Sequence, residues 1–282
     1  MIMSLMSKLL MSTIVATVAL SANSTKTEVN EKKLLKYVKR NIVKNPQVKV
    51  KGITIIESKT HKELPGWKVL LTTMDLVYKK KDIHAPETMF IKDGLITGHL
   101  INLKTGKDYR NEIKPHVPES MYDDAHLLFG NKDATHKVLI FSDPQCPYCQ
   151  EVVPNIFTAA QKNPEKLAIY YYHLPLLRIH PVSGVLTRVM HVAQNEGKED
   201  VVEKIYALKI NPRETNVTKI LEAVKSQTGY VVTEKQIDAK EVKDALAIDE
   251  EKAGKMMVSG TPTIYLDGEW DKMRDGYKKF IK

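Results

Sequence analysis

Phe141-Ser142-Asp143-Pro144-Gln145-Cys146-Pro147-Tyr148-Cys149 holds the only two cysteines of the 282-residue chain. Immediately before it, Val138-Leu139-Ile140 runs on into Phe141 as an apolar, strand-type sequence. After it, Gln150 to Gln161 reads as a helix, with Pro154 costing it one backbone bond. The cysteine pair therefore opens a helix at the end of a strand. Unpaired amides at a helix N-terminus, together with the helix dipole, favour negative charge. A thiol placed there falls from about 8.5 towards the roughly 3.5–7.5 range of such pairs. Cys146 is expected to be the exposed nucleophile. Cys149, one turn later, is expected to be buried and to attack the mixed disulfide formed at Cys146. Pro147 suits the first helical turn and stiffens it. Tyr148 offers a flat surface beside the sulphur.

Two other uses of the pair fit less well. A disulfide closing so small a loop removes little chain entropy, and a chain of this length does not need a staple. A metal site would need further ligands, and neither a second Cys-x-x-Cys nor a closely spaced histidine pair is present. No metal and no cofactor are called for.

Downstream, Leu167 to Tyr172 reads as a second strand, parallel to the first through a right-handed crossover. Tyr170, Tyr171 and Tyr172 are read as strand packing. Asp143 is read as a cap or turn residue, with proton transfer as the alternative, and His173 and His180 lie in the loop after the second strand, either as structural residues or placed to bias a thiolate. Helical segments follow at Val182–Glu196, Glu199–Leu208, Val217–Gln227 and Thr233–Met257. Gly260-Thr261-Pro262-Thr263 then introduces the strand Ile264-Tyr265-Leu266. Asp267-Gly268 turns the chain into a short strand near Glu269–Met273 and a final helix, Tyr277–Lys282. A proline just before the penultimate strand, downstream of Cys-x-x-Cys, is expected to be cis. It leaves backbone groups of Thr261 free to pair with a bound polypeptide. The order β-α-β, helical insertion, β-β-α is a thioredoxin-like layout over residues 137–282.

Upstream, Glu28–Lys44 has helical spacing of Leu34, Leu35, Val38 and Ile42 and stops at Asn45-Pro46. Strand-type runs follow at Val48–Glu57, Trp67–Lys79, Thr88–Lys92 and Leu95–Leu103, the last two joined by the hairpin signal Asp93-Gly94. One helix and a meander make a small α+β domain, residues 23–105. Residues 106–136 read as a partly helical linker, with a short helix over Glu119–Leu128.

Residues 1–22 have the form of an export signal: Lys8, an apolar run from Leu9 to Leu20, and small residues for cleavage. A retained anchor is the alternative, and either one puts the remainder outside the cytoplasm. The net charge of +9 is concentrated early: residues 23–115 carry 20 Lys+Arg against 10 Asp+Glu, and residues 116–282 carry 22 against 24. This is a solvated lysine-rich surface or a site for anionic partners. No nucleic-acid-binding module is recognisable.

The Phe-x-Asp-Pro-x-Cys-Pro-Tyr-Cys pattern at 141–149 and Gly260-Thr261-Pro262 resemble the DsbC/DsbG family of periplasmic thiol:disulfide interchange proteins, DsbG above all. That resemblance implies a homodimer joined through cystatin-like N-terminal dimerisation domains and a catalytic thioredoxin fold with a helical insertion. Its substrates would be cysteine-containing exported polypeptides in the periplasm. The implied activity is isomerisation or reduction of disulfides, with a membrane reductase of the DsbD type as partner. Cys146 and Cys149 would be catalytic, with Pro147, Tyr148, Thr261 and Pro262 tuning them or facing substrate. An oxidase role and a dimeric holdase chaperone remain as alternatives.

Overall fold

The computed structural model describes residues 29–281, so the expected export signal lies outside the described residues. The first unit starts with α1 (Glu31–Tyr37), capped by Asn30, whose side chain accepts from the Lys33 amide at 3.0 Å. A π-helical turn, Val38–Ile42, extends it. Four strands follow: β1 (Val48–Thr60), β2 (Lys68–Tyr78), β3 (Lys81–Lys92) and β4 (Leu95–Thr97). They form one antiparallel meander in sequence order. Strand alternation sorts the side chains of β2. Leu70 and Met74 meet Leu34 and Val38 on the helical face, while Val69 and Leu71 meet Phe90 and Tyr109 on the other.

β3 begins at Lys81 rather than at the expected Thr88. Its first residues are mostly exposed, so no apolar alternation announces them. Lys79 and Lys80 close the β2–β3 hairpin at φ 49° and 64°, the positive angles that a two-residue turn of this twist requires.

The helical linker expected over 106–136 does not form. That stretch contains two 3-10 turns, Tyr109–Asn111 and Glu119–Met121, and then β5 (Leu127–Phe129). Gly130 follows β5 at φ 81°. A Cβ there would lie 1.8 Å from the Leu167 carbonyl oxygen, so the chain turns against its neighbour where only glycine fits.

The second unit continues with β6 (His136–Ser142), α2 (Pro147–Lys162) and β7 (Leu167–His173). Helix α2 runs through Pro154 as one element. Then come α3 (Ser183–Asn195), α4 (Glu199–Tyr206), α5 (Val217–Thr228), α6 (Glu234–Ile237) and α7 (Lys240–Lys255). The expected single helix over Thr233–Met257 is two, because Thr233 and Gln236 form a capping box and the chain breaks after Ile237. Strands β8 (Thr263–Leu266) and β9 (Glu269–Trp270) and a 3-10 turn, Gly276–Phe280, complete the unit; the turn stands where a helix was expected.

The sheet order is β5-β7-β6-β8-β9, with β6 and β7 parallel and the other pairs antiparallel. Both faces of the central strands are covered. Val138, Ile140, Ile169 and Tyr171 pack with α2, α3 and α4, while Leu139, Phe141, Tyr170 and Tyr172 pack towards Met121 and the end of α7. The three tyrosines are strand packing, as expected.

The two units are tied where the chain passes between them. Lys59 Nζ donates to the Lys114 carbonyl at 2.9 Å, and Lys114 Nζ donates to the Met257 carbonyl at 2.7 Å. The His116 amide donates to Glu57 Oε2 at 2.8 Å. No helix among the described residues is long and apolar enough to cross a membrane.

Candidate redox site

The chain leaves the central strand β6 at Ser142 and must turn sharply to start α2. Asp143 makes that turn: its carbonyl accepts the Cys146 amide at 3.1 Å, and its carboxylate is fully buried. Oδ1 accepts from the Gln145 amide at 2.8 Å and the Ser183 hydroxyl at 2.6 Å. Oδ2 accepts from the Leu176 amide at 2.8 Å and pairs with His180 Nδ1 at 3.0 Å. A buried carboxylate costs several kcal/mol unless it is paired in this way. Asp143 is thus more than a turn residue. It binds the cysteine loop to the loop after β7 and to the start of α3. His180 reaches the region through Asp143.

Cys146 is the N-cap of α2, and Pro147 occupies the first turn. Both cysteines are unpaired thiols. Cys149 is fully buried. Cys146 is 7% exposed, less than its expected role as an exposed nucleophile suggested. The loop before β8 covers it: Cys146 Sγ lies 3.4 Å from the Thr261 carbonyl oxygen. The Thr261–Pro262 peptide is cis, as expected. In its thiol form Cys146 donates to the Thr261 carbonyl, so that carbonyl is already engaged. Pro147 and Tyr148 are exposed at the rim.

The two sulphurs are electrostatically unequal. A hydrogen bond from Cys149 is the largest influence on Cys146. Burial opposes it, and the Thr261 side chain and the Cys149 and Tyr148 amides add to it, so the thiol is pulled down to about 5. Burial pushes the Cys149 thiol far up, reinforced by its hydrogen bond to Cys146 and only partly offset by the Ser142 hydroxyl. The charge sits on Cys146 and the proton on Cys149, as expected for a thiol at a helix N-terminus beside a buried one.

His173 is the in-register neighbour of Ser142 on β7. Its ring is buried with both nitrogens unpartnered, and burial lowers it to about 3, so it stays neutral. Three groups escaped the sequence reading. Ser142 Oγ accepts from the Tyr206 hydroxyl at 2.6 Å, and the Tyr206 and Tyr171 hydroxyls are 2.7 Å apart. The buried Asp249 of α7 accepts from the His173 amide at 2.9 Å and pairs with His126 at 2.9 Å. No local motif marks Tyr206 or Asp249, because their partners are distant in sequence.

Comparison with known proteins agrees with this architecture. The family model described as Thioredoxin matches residues 123–282, more than half of the chain. The "probable disulfide bond formation protein D" of Bacillus cereus is 23% identical over 203 residues, covering 67% of this chain and 90% of that protein. Its namesake from Bacillus anthracis is 22% identical, covering 67% and 89%. Among solved structures, oxidised BdbD from Bacillus subtilis superposes with a TM-score of 0.47 at 18% identity, covering 59% of this chain and 92% of that one. The family match begins just before β5 and takes in every strand of the sheet that carries the cysteines. The chain therefore belongs to the thioredoxin family, and it is a thiol:disulfide oxidoreductase.

Proposed function

We propose that the chain exchanges disulfides with cysteine-containing exported polypeptides, using Cys146 as nucleophile and leaving group and Cys149 as the resolving thiol. In the donating direction, a substrate thiolate attacks Cys146 of the Cys146–Cys149 disulfide and Cys149 leaves. A second substrate thiolate then attacks the substrate sulphur of the mixed disulfide and expels Cys146. In the reducing direction, the Cys146 thiolate opens a substrate disulfide and Cys149 closes on Cys146. The observation that carries this reading is the placing of the pair: Cys146 caps the N-terminus of α2 against the Thr261 loop, and Cys149 lies one turn on, fully buried.

A stabilised Cys146 thiolate favours the reduced form of the pair and so makes its disulfide a stronger oxidant. This supports disulfide formation as the main direction, and the names of the Bacillus relatives point the same way. Thr261 and Pro262 would form the substrate-facing wall beside Cys146. Tyr148, with Leu177 and Ile179 exposed on the loop held by Asp143, would supply apolar contact.

Isomerisation or reduction, as in DsbC/DsbG, is the second reading. It is favoured by the residues of the 141–149 motif and by the added α+β unit ahead of the redox unit. It brings with it homodimerisation through residues 23–105, a periplasmic location after cleavage at about residue 22, a DsbD-type membrane reductase and a holdase-like cleft. Two assays run side by side separate the readings: oxidation of a reduced, unfolded substrate by the oxidised protein, and rescue of a scrambled substrate by the reduced protein. Fast oxidation with poor rescue supports donation. Efficient rescue by a dimer, with slow oxidation, overturns it in favour of isomerisation.

A further inference from the structure

We propose that the first unit is a working part of the redox site: Lys114 and Met257 are positioning residues that hold the Thr261 loop over Cys146 and so limit access to its sulphur. This rests on the role proposed above for Cys146.

The loop is short. Met257 lies two residues beyond the end of α7, and Thr261 follows four residues later, with its carbonyl oxygen 3.4 Å from Cys146 Sγ. The far end of the loop is fixed within the second unit. Thr263 Oγ1 donates to the Gly260 carbonyl at 2.8 Å, and Arg274 Nε donates to the Pro262 carbonyl at 3.1 Å. From Thr263 onwards the chain is paired with β6. The near end is held by α7 and, in two ways, by the first unit. Cys146 is almost wholly covered, so a substrate sulphur reaches it when the stretch between these two ends gives way.

The first tie is the Met257 side chain. Met257 has φ 52°, its amide donates to the Gly254 carbonyl at 3.0 Å, and the Val258 amide donates to the Ala253 carbonyl at 2.9 Å. These two bonds end a helix through a left-handed residue. Glycine suits that position, because a Cβ crowds the backbone at positive φ. Methionine stands there instead, and its side chain packs against the first unit's cluster that includes Leu64, Phe90, Tyr109 and Ile113. The residue that starts the loop is thus anchored in the core of the other unit.

The second tie is the Lys114 ammonium. The segment that carries it is bound to β1: Lys59 Nζ donates to the Lys114 carbonyl at 2.9 Å, and the His116 amide donates to Glu57 Oε2 at 2.8 Å. From there Lys114 Nζ donates to the Met257 carbonyl at 2.7 Å and lies 5.2 Å from the centre of the Trp270 ring. The side chain is half-buried, and burial lowers its pKa with no carboxylate to offset it. A cation held without a counter-ion depends on the carbonyl and the ring face that it has found. The Met257 carbonyl and the Val258 amide belong to one peptide plane. Lys114 holds one edge of that plane and the end of α7 holds the other, and the plane sets the course of Ser259 and Gly260 towards Thr261. Freeing the Lys114 edge lets residues 259–261 lift from Cys146 while β8 stays paired.

The test uses full-length reduced protein and iodoacetamide, with alkylation of each cysteine followed by mass spectrometry. Rates are compared on the high-pH plateau of the Cys146 profile, so that a shifted thiol ionisation does not enter. Lys114→Met keeps an apolar stem and removes the ammonium. It should raise the Cys146 rate about tenfold, the effect of losing one charged hydrogen bond from the closed loop. Lys114→Arg, which can still donate to the carbonyl, should restore most of the parent's protection. Met257→Asn keeps a residue at home in the left-handed region and removes the apolar reach. It should raise the rate severalfold, whereas a residue that merely ends α7 would leave it unchanged. Alkylation no faster than the parent's in either Lys114→Met or Met257→Asn overturns the proposal. So does labelling of Cys146 and Cys149 together at one rate in those variants, which signals general unfolding instead of a released loop. If Lys114→Met fails to fold, Met257→Asn decides alone. If Cys149 is alkylated before Cys146 in the parent, the nucleophile is misassigned and this proposal falls with it. A parent whose Cys146 reacts first, beside unchanged variants, removes only the ties through Lys114 and Met257.

Discussion

Each unit carries an aspartate–histidine pair at nearly the same distance, and the two pairs differ in almost everything else. Asp75 and His84 face each other across β2 and β3 at 2.8 Å, with side chains 38% and 67% exposed. Asp143 and His180 meet at 3.0 Å, at 0% and 12%. Water screens the first pair, so it contributes little. The second is dry, and Asp143 depends on every partner it has. The sheets themselves explain the difference. The meander is built from hairpins, and its far half has little covering it. β6 and β7 are sandwiched between helices, so a polar group at their ends is sealed in and must find its hydrogen-bond partners among its neighbours. Within the cysteine pair both side chains are covered, and what separates them is the place of Cys146 at the N-terminus of α2.

The comparison breaks most completely at Cys146. Cys146→Ser should reduce disulfide exchange to the uncatalysed background in an insulin-reduction assay, while His84→Ala on the first sheet should leave it at the parent rate. A large loss from His84→Ala would mean that the first sheet takes part in the chemistry.

The next effect concerns reactivity. Alkylation of Cys146 in the reduced protein should follow an ionisation near pH 5, whereas Cys149 should stay unreactive to pH 9 and beyond. The stability of the reduced protein relative to the oxidised form should follow the same group. Because folding lowers the Cys146 pKa, the contribution is complete above the unfolded value of about 8.5 and is lost as pH falls towards 5. Melting curves of both redox forms across that range check it. A midpoint for Cys146 near 8 would remove the electrostatic distinction between the sulphurs.

A substitution at each aspartate then measures the sheets directly. Asp143→Ala strands the Leu176 and Gln145 amides, the Ser183 hydroxyl and His180, and should cost about 3–5 kcal/mol. Asp75→Ala should cost about 1 kcal/mol or less. Equal costs in urea unfolding would show that burial does not govern the two pairs.

The elements legible in sequence were those whose cause is local. The strand before Cys146, the helix opened by Pro147 and the Thr261–Pro262 loop all declare themselves within a few residues. β1 and β2 are legible because one face is buried and the alternation shows. β5 was misread because a three-residue edge strand bears no periodicity, and Glu119 to Leu128 contains enough helix-compatible residues to suggest a helix. The first half of β3 was missed for the opposite reason, since exposure leaves it no apolar pattern. Within the site, the cysteines were legible but their surroundings were not. Tyr206 is 64 residues from Ser142 in sequence, and Asp249 is 76 from His173. Only the folded insertion brings such groups together. The near-complete covering of Cys146 is likewise a property of a loop more than a hundred residues downstream.

The smallest effect tests whether the dry end of β7 tolerates a polar ring for stability or in spite of it. His173 has no ring hydrogen bond and lies among His191, His126 and Asp249, with Tyr171 edge-on at 5.0 Å. Burial lowers it from 6.5 to about 3. The unfolded chain therefore binds a proton that the folded chain refuses between those values. Stability is complete above about pH 6.5 and declines as pH falls, by about 2 kcal/mol at pH 5. His173→Leu removes that proton site and leaves no partner unpaired, since the bond to Asp249 comes from the backbone amide. At pH 7.5 the variant should be within about 1 kcal/mol of the parent, and between pH 6.5 and 5 its unfolding free energy should fall less steeply. An unchanged acid limb would assign the loss to His191, which burial also lowers, or to the carboxylates. Strong destabilisation at pH 7.5 would show instead that the ring's shape, packed beside Tyr171 and Ser142, holds the end of the strand in place.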